Sequence, residues 1–134
     1  MKALVLILVL SIPFRLFAPA DDRLVLADPV PVNPYKKLIY AIGCVETGLD
    51  TLAYNPFEEA VGYFQIRPIR LEDYNQRIVS NYDMQDMYDY YISEKIFLYY
   101  ASQIGPYDFE RIAKSWNGSG SMTEDYWKKV KSKL

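Results

Sequence analysis

The chain has no histidine and a single cysteine, Cys44. It therefore has no disulfide to close within itself and no imidazole cage for a metal. Whatever order it has must come from an apolar core. Its 134 residues, 51% of them hydrophobic and 13 of them tyrosines, are enough for one small globular domain. The same absence removes Ser-His-Asp and Cys-His nucleophile systems. Cys44 lies in an apolar helical pattern and reads as a small buried hydrophobe. Acid and base chemistry in such a chain falls to carboxylates, and the reading includes no metal and no cofactor.

The charge balance points away from nucleic acid. A formal net charge of −2 lacks the basic excess that tracking phosphates requires. The lysines of WKKVKSKL suit the last turns of a helix, where cations complement the dipole.

Residues 1–20 have the pattern of an export signal: Lys2, the apolar run ALVLILVL, and Ala18 and Ala20 as a small-x-small cleavage pair. Cleavage there removes Lys2 and Arg15 and takes the net charge to −4. The expected location is the periplasm or cell envelope; the alternative is an uncleaved segment anchored in the inner membrane. Residues 21–33, with Pro29 and Pro31, read as an extended linker. The folded domain is expected over residues 34–134.

Asn33 as N-cap and Pro34 at the first helical position predict a helix over residues 34–47 that stops at Gly48. Leu38, Ile39, Ile42 and Val45 form its apolar stripe. Glu46 projects from the edge of that stripe in the last turn, where burial and the negative end of the helix dipole both disfavour a charged carboxylate. A general acid has these properties, although the same residue turned slightly outward is simply solvated. The segment VGYFQIRP, residues 61–68, reads as half-buried and extended, with one polar residue, Gln65, whose amide both donates and accepts. Downstream, a short helix is expected over RPIRLEDYNQRI. A longer one is expected over DMQDMYDYYISEKIFLYYASQI, with Met84, Met87, Tyr88, Tyr91, Phe97, Leu98 and Ala101 on its core face. A third helix runs from an Asp108 cap to Trp116, and a final one starts near Thr123 and carries Tyr126, Trp127 and Val130.

Three segments in this order, helix-ETG, GYFQI-P and SWNGSG, resemble the lytic transglycosylase domain of the lysozyme-like superfamily, related to goose-type lysozymes. That family has Glu-Ser-Gly at a helix end, Gly-Leu-Met-Gln-Ile-x-Pro about 16 residues on, and Ala-Tyr-Asn-Ala-Gly near the C-terminal end. The resemblance covers residues 35–134. It implies a mainly α (α+β lysozyme-like) fold, a small helical domain with a short extended or hairpin segment beside the active-site cleft.

By that resemblance Glu46 stands at the catalytic acid/base, and Thr47 keeps a hydroxyl where the family has serine. Gly62 and Gln65 match the second motif, with Tyr63 and Phe64 in place of leucine and methionine, and Gln65 meets the N-acetylated sugar. Asn117 matches the third motif, where Ser115 replaces alanine and Trp116 replaces a tyrosine whose hydroxyl helps position the carboxylate. An indole N–H donates but cannot accept, so either Trp116 serves as a donor or another tyrosine takes over. The implied substrate-binding set is Thr47, Tyr63, Phe64, Gln65, Trp116 and Asn117.

The implied activity is peptidoglycan cleavage between N-acetylmuramic acid and N-acetylglucosamine with formation of a 1,6-anhydro ring, which uses one carboxylate. A hydrolytic muramidase would need a second, for which Asp50, Glu58, Glu59 and Asp73 are candidates by proximity in sequence. A non-catalytic glycan-binding module is a third reading. The expected partners are peptidoglycan strands and an envelope-spanning secretion or conjugation assembly, with the chain itself a monomer.

Overall fold

A computed structural model describes residues 31–134, so the expected export signal and nearly all of the expected linker lie outside the described residues. The fold is mainly helical, with one small hairpin. The order is α1 (Lys36–Glu46), β1 (Tyr54–Asn55), β2 (Ala60–Val61), α2 (Pro68–Ile78), a 3-10 turn (Gln85–Tyr88), α3 (Tyr90–Ile104), α4 (Phe109–Asn117) and α5 (Thr123–Lys131).

The first helix begins two residues later than its cap signal suggested. Asn33 Oδ1 accepts from the Tyr35 N–H at 2.9 Å and the Asn33 carbonyl accepts from Lys36 N at 3.2 Å. Pro34 and Tyr35 therefore form a tight turn that leads into the helix. At the other end the Leu49 N–H reaches back across Gly48 to the Gly43 carbonyl at 3.0 Å, the wrap-around bond that closes a helix C-terminus.

The strands pair antiparallel, Tyr54 opposite Val61 and Asn55 opposite Ala60. The segment after β2 is a tight turn rather than the extended run expected from its composition. Val61 and Ile66 exchange backbone bonds of 3.0 Å, and the Gln65 N–H bonds the Gly62 carbonyl at 3.0 Å. Gly62 has φ +76°, and a Cβ added there would lie 2.1 Å from the Met87 carbonyl oxygen. No side chain fits that approach. Gln65 has φ +50°, left-handed geometry that is unfavourable for a residue with a Cβ.

The long helix expected from residue 83 onward is divided. Asp89 accepts from the N–H groups of Tyr91 and Ile92, an N-cap that starts α3 afresh and leaves Gln85–Tyr88 as a separate 3-10 turn. The division changes the helical register. Met87, Phe97 and Ala101 are buried as expected, whereas Tyr91 is 78% exposed. Helices α2 and α4 lie within a residue of their expected bounds, α5 starts at the expected Thr123, and Asp108 caps α4 through Arg111 N at 2.9 Å.

The centre of the core is aromatic. Phe64 is fully buried, stacks on Phe97 with ring centroids 4.9 Å apart, and meets Tyr63 and Trp116 edge-on at 4.8 and 6.2 Å. Helix α5 packs against both α4 and α1, which brings the last helix beside the end of the first.

Candidate active site

Glu46 is the last residue of α1, where a side chain leaves the apolar stripe just before the chain turns away. It lines a pocket of about 140 Å³ with Glu58, Gln65, Arg67, Arg70, Trp116 and Asn117. Three segments far apart in sequence thus converge on one carboxyl: the end of α1, the hairpin with the start of α2, and the end of α4.

A fourth element holds the carboxyl in place. The Tyr126 hydroxyl on α5 donates to Glu46 Oε1 at 2.6 Å. Tyr126 is itself buried, and its own ionisation is strongly opposed, first by burial and then by the neighbouring Glu46 charge. It therefore remains a donor across the physiological range.

The acidity of Glu46 results from opposed effects. Burial pushes its pKa up, and this is the largest influence. The Tyr126 hydrogen bond and the charges of Arg67 and Arg70 pull it down, whereas Glu58 pushes it up. Burial prevails, and the net direction is upward from the ordinary glutamate value.

The resemblance is therefore split by the geometry. Glu46, Gln65, Trp116 and Asn117 come together around the pocket. Gln65 is also tied to the turn that carries it, its Nε2 donating to the Gly62 carbonyl at 3.0 Å.

Phe64, Tyr63 and Thr47 do not line the pocket. The Phe64 ring is sealed in the core, and only its carbonyl points toward a functional neighbour, accepting from Trp116 Nε1 at 3.0 Å. The Tyr63 ring packs over Gly43, and its hydroxyl lies 3.4 Å from the Ile39 carbonyl. Burial raises its pKa to about 12. The Thr47 hydroxyl is within 3.3 and 3.4 Å of the Gly43 and Tyr63 carbonyls, linking the end of α1 to the turn after β2. Together these contacts tie the segment that carries Gln65 to α1 and to the core.

Trp116 is not the residue that positions the carboxylate. Its indole donor is spent on Phe64, and its face supports Arg70, whose guanidinium carbon lies 4.1 Å from the ring centroid. Tyr126 supplies the hydroxyl instead. In the sequence Tyr126 was read only as part of the final helix; the missed signal was its phenol, since a buried tyrosine hydroxyl needs a partner. Arg67 and Arg70 were likewise read only as part of a helix start.

Of the four candidate second carboxylates, Glu58 alone lines the pocket, and it is ion-paired with Arg67 at 2.7 Å. Asp50 accepts from Leu52 N within its own loop, Asp73 is bonded to Arg77 and Tyr100, and Glu59 lies exposed. Among the described residues no group of acidic or cysteine side chains is arranged to hold a metal ion.

The chain matches no protein-family model, no curated protein and no solved structure.

Proposed function

We propose that the chain is a peptidoglycan lytic transglycosylase with Glu46 as its single acid and base. The observation that carries this reading is a half-buried carboxyl, biased toward its protonated form by burial and held by a tyrosine hydroxyl, in a pocket with an amide on either side, Gln65 and Asn117. A carboxylic acid biased toward its protonated form is what protonating a glycosidic oxygen requires. The amides suit the N-acetyl and hydroxyl groups of an amino sugar.

In this mechanism the Glu46 proton passes to the oxygen between N-acetylmuramic acid and N-acetylglucosamine, and the C1–O bond breaks. The neighbouring N-acetyl oxygen stabilises the electron-poor C1. Glu46, now ionised, withdraws the proton from the muramic C6 hydroxyl, whose oxygen bonds C1 and closes the 1,6-anhydro ring. Glu46 ends protonated, and no water is consumed. Tyr126 bonds the carboxyl in both states and sets which oxygen faces the substrate.

Hydrolysis is the second reading, and Glu58 favours it, because a second carboxylate lines the same pocket. Its ion pair with Arg67 counts against a role in drawing a proton from water. Digestion of purified peptidoglycan followed by mass measurement separates the two. Anhydro-muramic ends, lighter by one water, support transglycosylation; reducing ends support hydrolysis through Glu58; no cleavage overturns both.

The reading places the protein outside the cytoplasm, working on the wall either alone or for an envelope-spanning assembly. No helix among the described residues is long and apolar enough to cross a membrane. Recovery from the envelope of protein beginning near Asp21 supports cleavage of the export signal, whereas intact Met1 supports the anchored form.

A further inference from the structure

The Glu46 pocket has a neighbour. A second pocket of about 260 Å³ is lined by Arg67, Ile69, Arg70, Asp73 and Tyr100, and the two share both arginines. A ligand passing from one to the other crosses two guanidinium groups.

Arg70 forms no ion pair among the described residues. Its guanidinium lies over the rings of both Trp116 and Tyr100, 4.1 and 5.2 Å from their centroids, and donates to the Trp116 carbonyl at 2.9 Å. The two nearest acids are engaged elsewhere: Glu46 with Tyr126 at 2.6 Å, and Asp73 with Arg77 and Tyr100, each at 2.7 Å. A partly buried cation without a counter-ion is costly, and burial accordingly makes Arg70 easier to deprotonate than a free arginine.

Arg67 reinforces it. It bonds Glu58 and sits at the N-cap of α2, which has no side-chain cap and opens on Pro68. The positive end of an 11-residue helix therefore adds to the two side chains. A guanidinium has five N–H donors in a planar fork, so both arginines keep donors to spare.

We propose that Arg67 and Arg70 form a carboxylate-recognising subsite beside Glu46 that holds a carboxylate carried by the muramic residue at the scissile bond. The inference rests on the glycan-cleaving reading and assigns the residues that hold the anionic part of the substrate. Two sources offer the same chemistry: the lactyl carboxylate of a strand stripped of its peptides, and the carboxylates of an attached stem peptide. A planar fork accepts either in two parallel bonds. A neutral chito-oligosaccharide leaves Arg70 as it is, partly buried and without an ion-pair partner among the described residues.

Calorimetric titration of the Glu46→Gln protein tests this without turnover. The ligands are a muramic disaccharide bearing its stem peptide, the same disaccharide with the peptide removed, its lactyl amide, and chitotriose. The carboxylate-bearing ligands should bind about tenfold or more tightly than the lactyl amide and chitotriose. The preference should weaken as salt rises, and it should be lost in Arg70→Gln and in Arg67→Gln. Arg67→Gln carries the test alone if the Arg70 variant fails to fold. Tight binding of the stripped ligand identifies the lactyl group, and tight binding of the peptide form alone identifies the stem. Equal affinity for charged and neutral ligands overturns the subsite and leaves the glycan reading standing, whereas binding of none of them overturns both. Cleavage that persists in Glu46→Gln removes Glu46 as the acid without touching the subsite.

Discussion

The Tyr126 hydroxyl donates to Glu46 Oε1 at 2.6 Å across 80 residues of sequence, and this bond favours the ionised carboxylate against the burial that opposes it. A general acid loses activity as pH rises through its pKa. In Tyr126→Phe the downward pull is gone, the Glu46 pKa rises further, and the alkaline limb of the pH–rate profile moves to higher pH. The maximal rate should fall about 10- to 100-fold, since a hydrogen bond to a charged group is worth about 1.5–3 kcal/mol. An unmoved limb would mean that the hydroxyl does not act on the carboxyl.

Glu46→Gln should abolish cleavage and alter the pH dependence of stability in a defined direction. The folded-state pKa of Glu46 lies above its unfolded value, so folding favours the protonated group. The penalty for the ionised form is absent below the unfolded pKa of about 4.3 and complete once pH exceeds the folded value. Wild-type protein therefore loses stability relative to the glutamine variant as pH rises through that window. Melting temperatures should be close at pH 4 and higher for Glu46→Gln at pH 7. The opposite order at pH 7 would show that Tyr126 and the arginines outweigh burial.

Gln65 separates strain from function. It has φ +50° and donates to the Gly62 carbonyl. Gln65→Ala and Gln65→Gly remove the same amide, but only glycine relieves the left-handed geometry. Both variants should lose activity on peptidoglycan, with glycine more stable than alanine by about 1 kcal/mol. Denaturant unfolding of the pair measures the difference, and retained activity in either would end the case for a sugar contact.

Trp116→Tyr restores the residue type found in the resembling family and should not raise cleavage on the proposed function, because Tyr126 already provides the hydroxyl. It takes away the indole donor to the buried Phe64 carbonyl, at a cost of about 1–3 kcal/mol. Chemical denaturation reads the loss, and a gain in activity would return the positioning role to this site.

Glu46 and Gln65 stood out in the sequence because each lies in a short motif whose local chemistry is unusual, a carboxyl at an apolar helix end and an amide in an apolar run, whereas Asn117 was reached only through the resemblance. Helices α2, α4 and α5 were legible from Pro68, Asp108 and Thr123, signals that act within a turn of where they stand. The break at Asp89 was not, because an apolar stripe runs straight across a good cap when no fold is in view. Tyr63 and Phe64 were placed at the sugar by analogy, and the core claimed them because a tight turn through Gly62 points them inward. Tyr126, Arg67 and Arg70 carried no local mark, since their importance comes from the packing of α5 on α1 and of the Arg70 side chain on Trp116.

The bond between Glu46 and Tyr126 ties competence to completion. The carboxyl is made early in the chain and the hydroxyl late, and α1 is covered only when α5 packs on it. A chain still on the ribosome, or threaded through a membrane pore, has Glu46 as an ordinary solvated glutamate with an ordinary acidity. On the proposed function, the acid is thus assembled only once α5 has been made and has packed on α1.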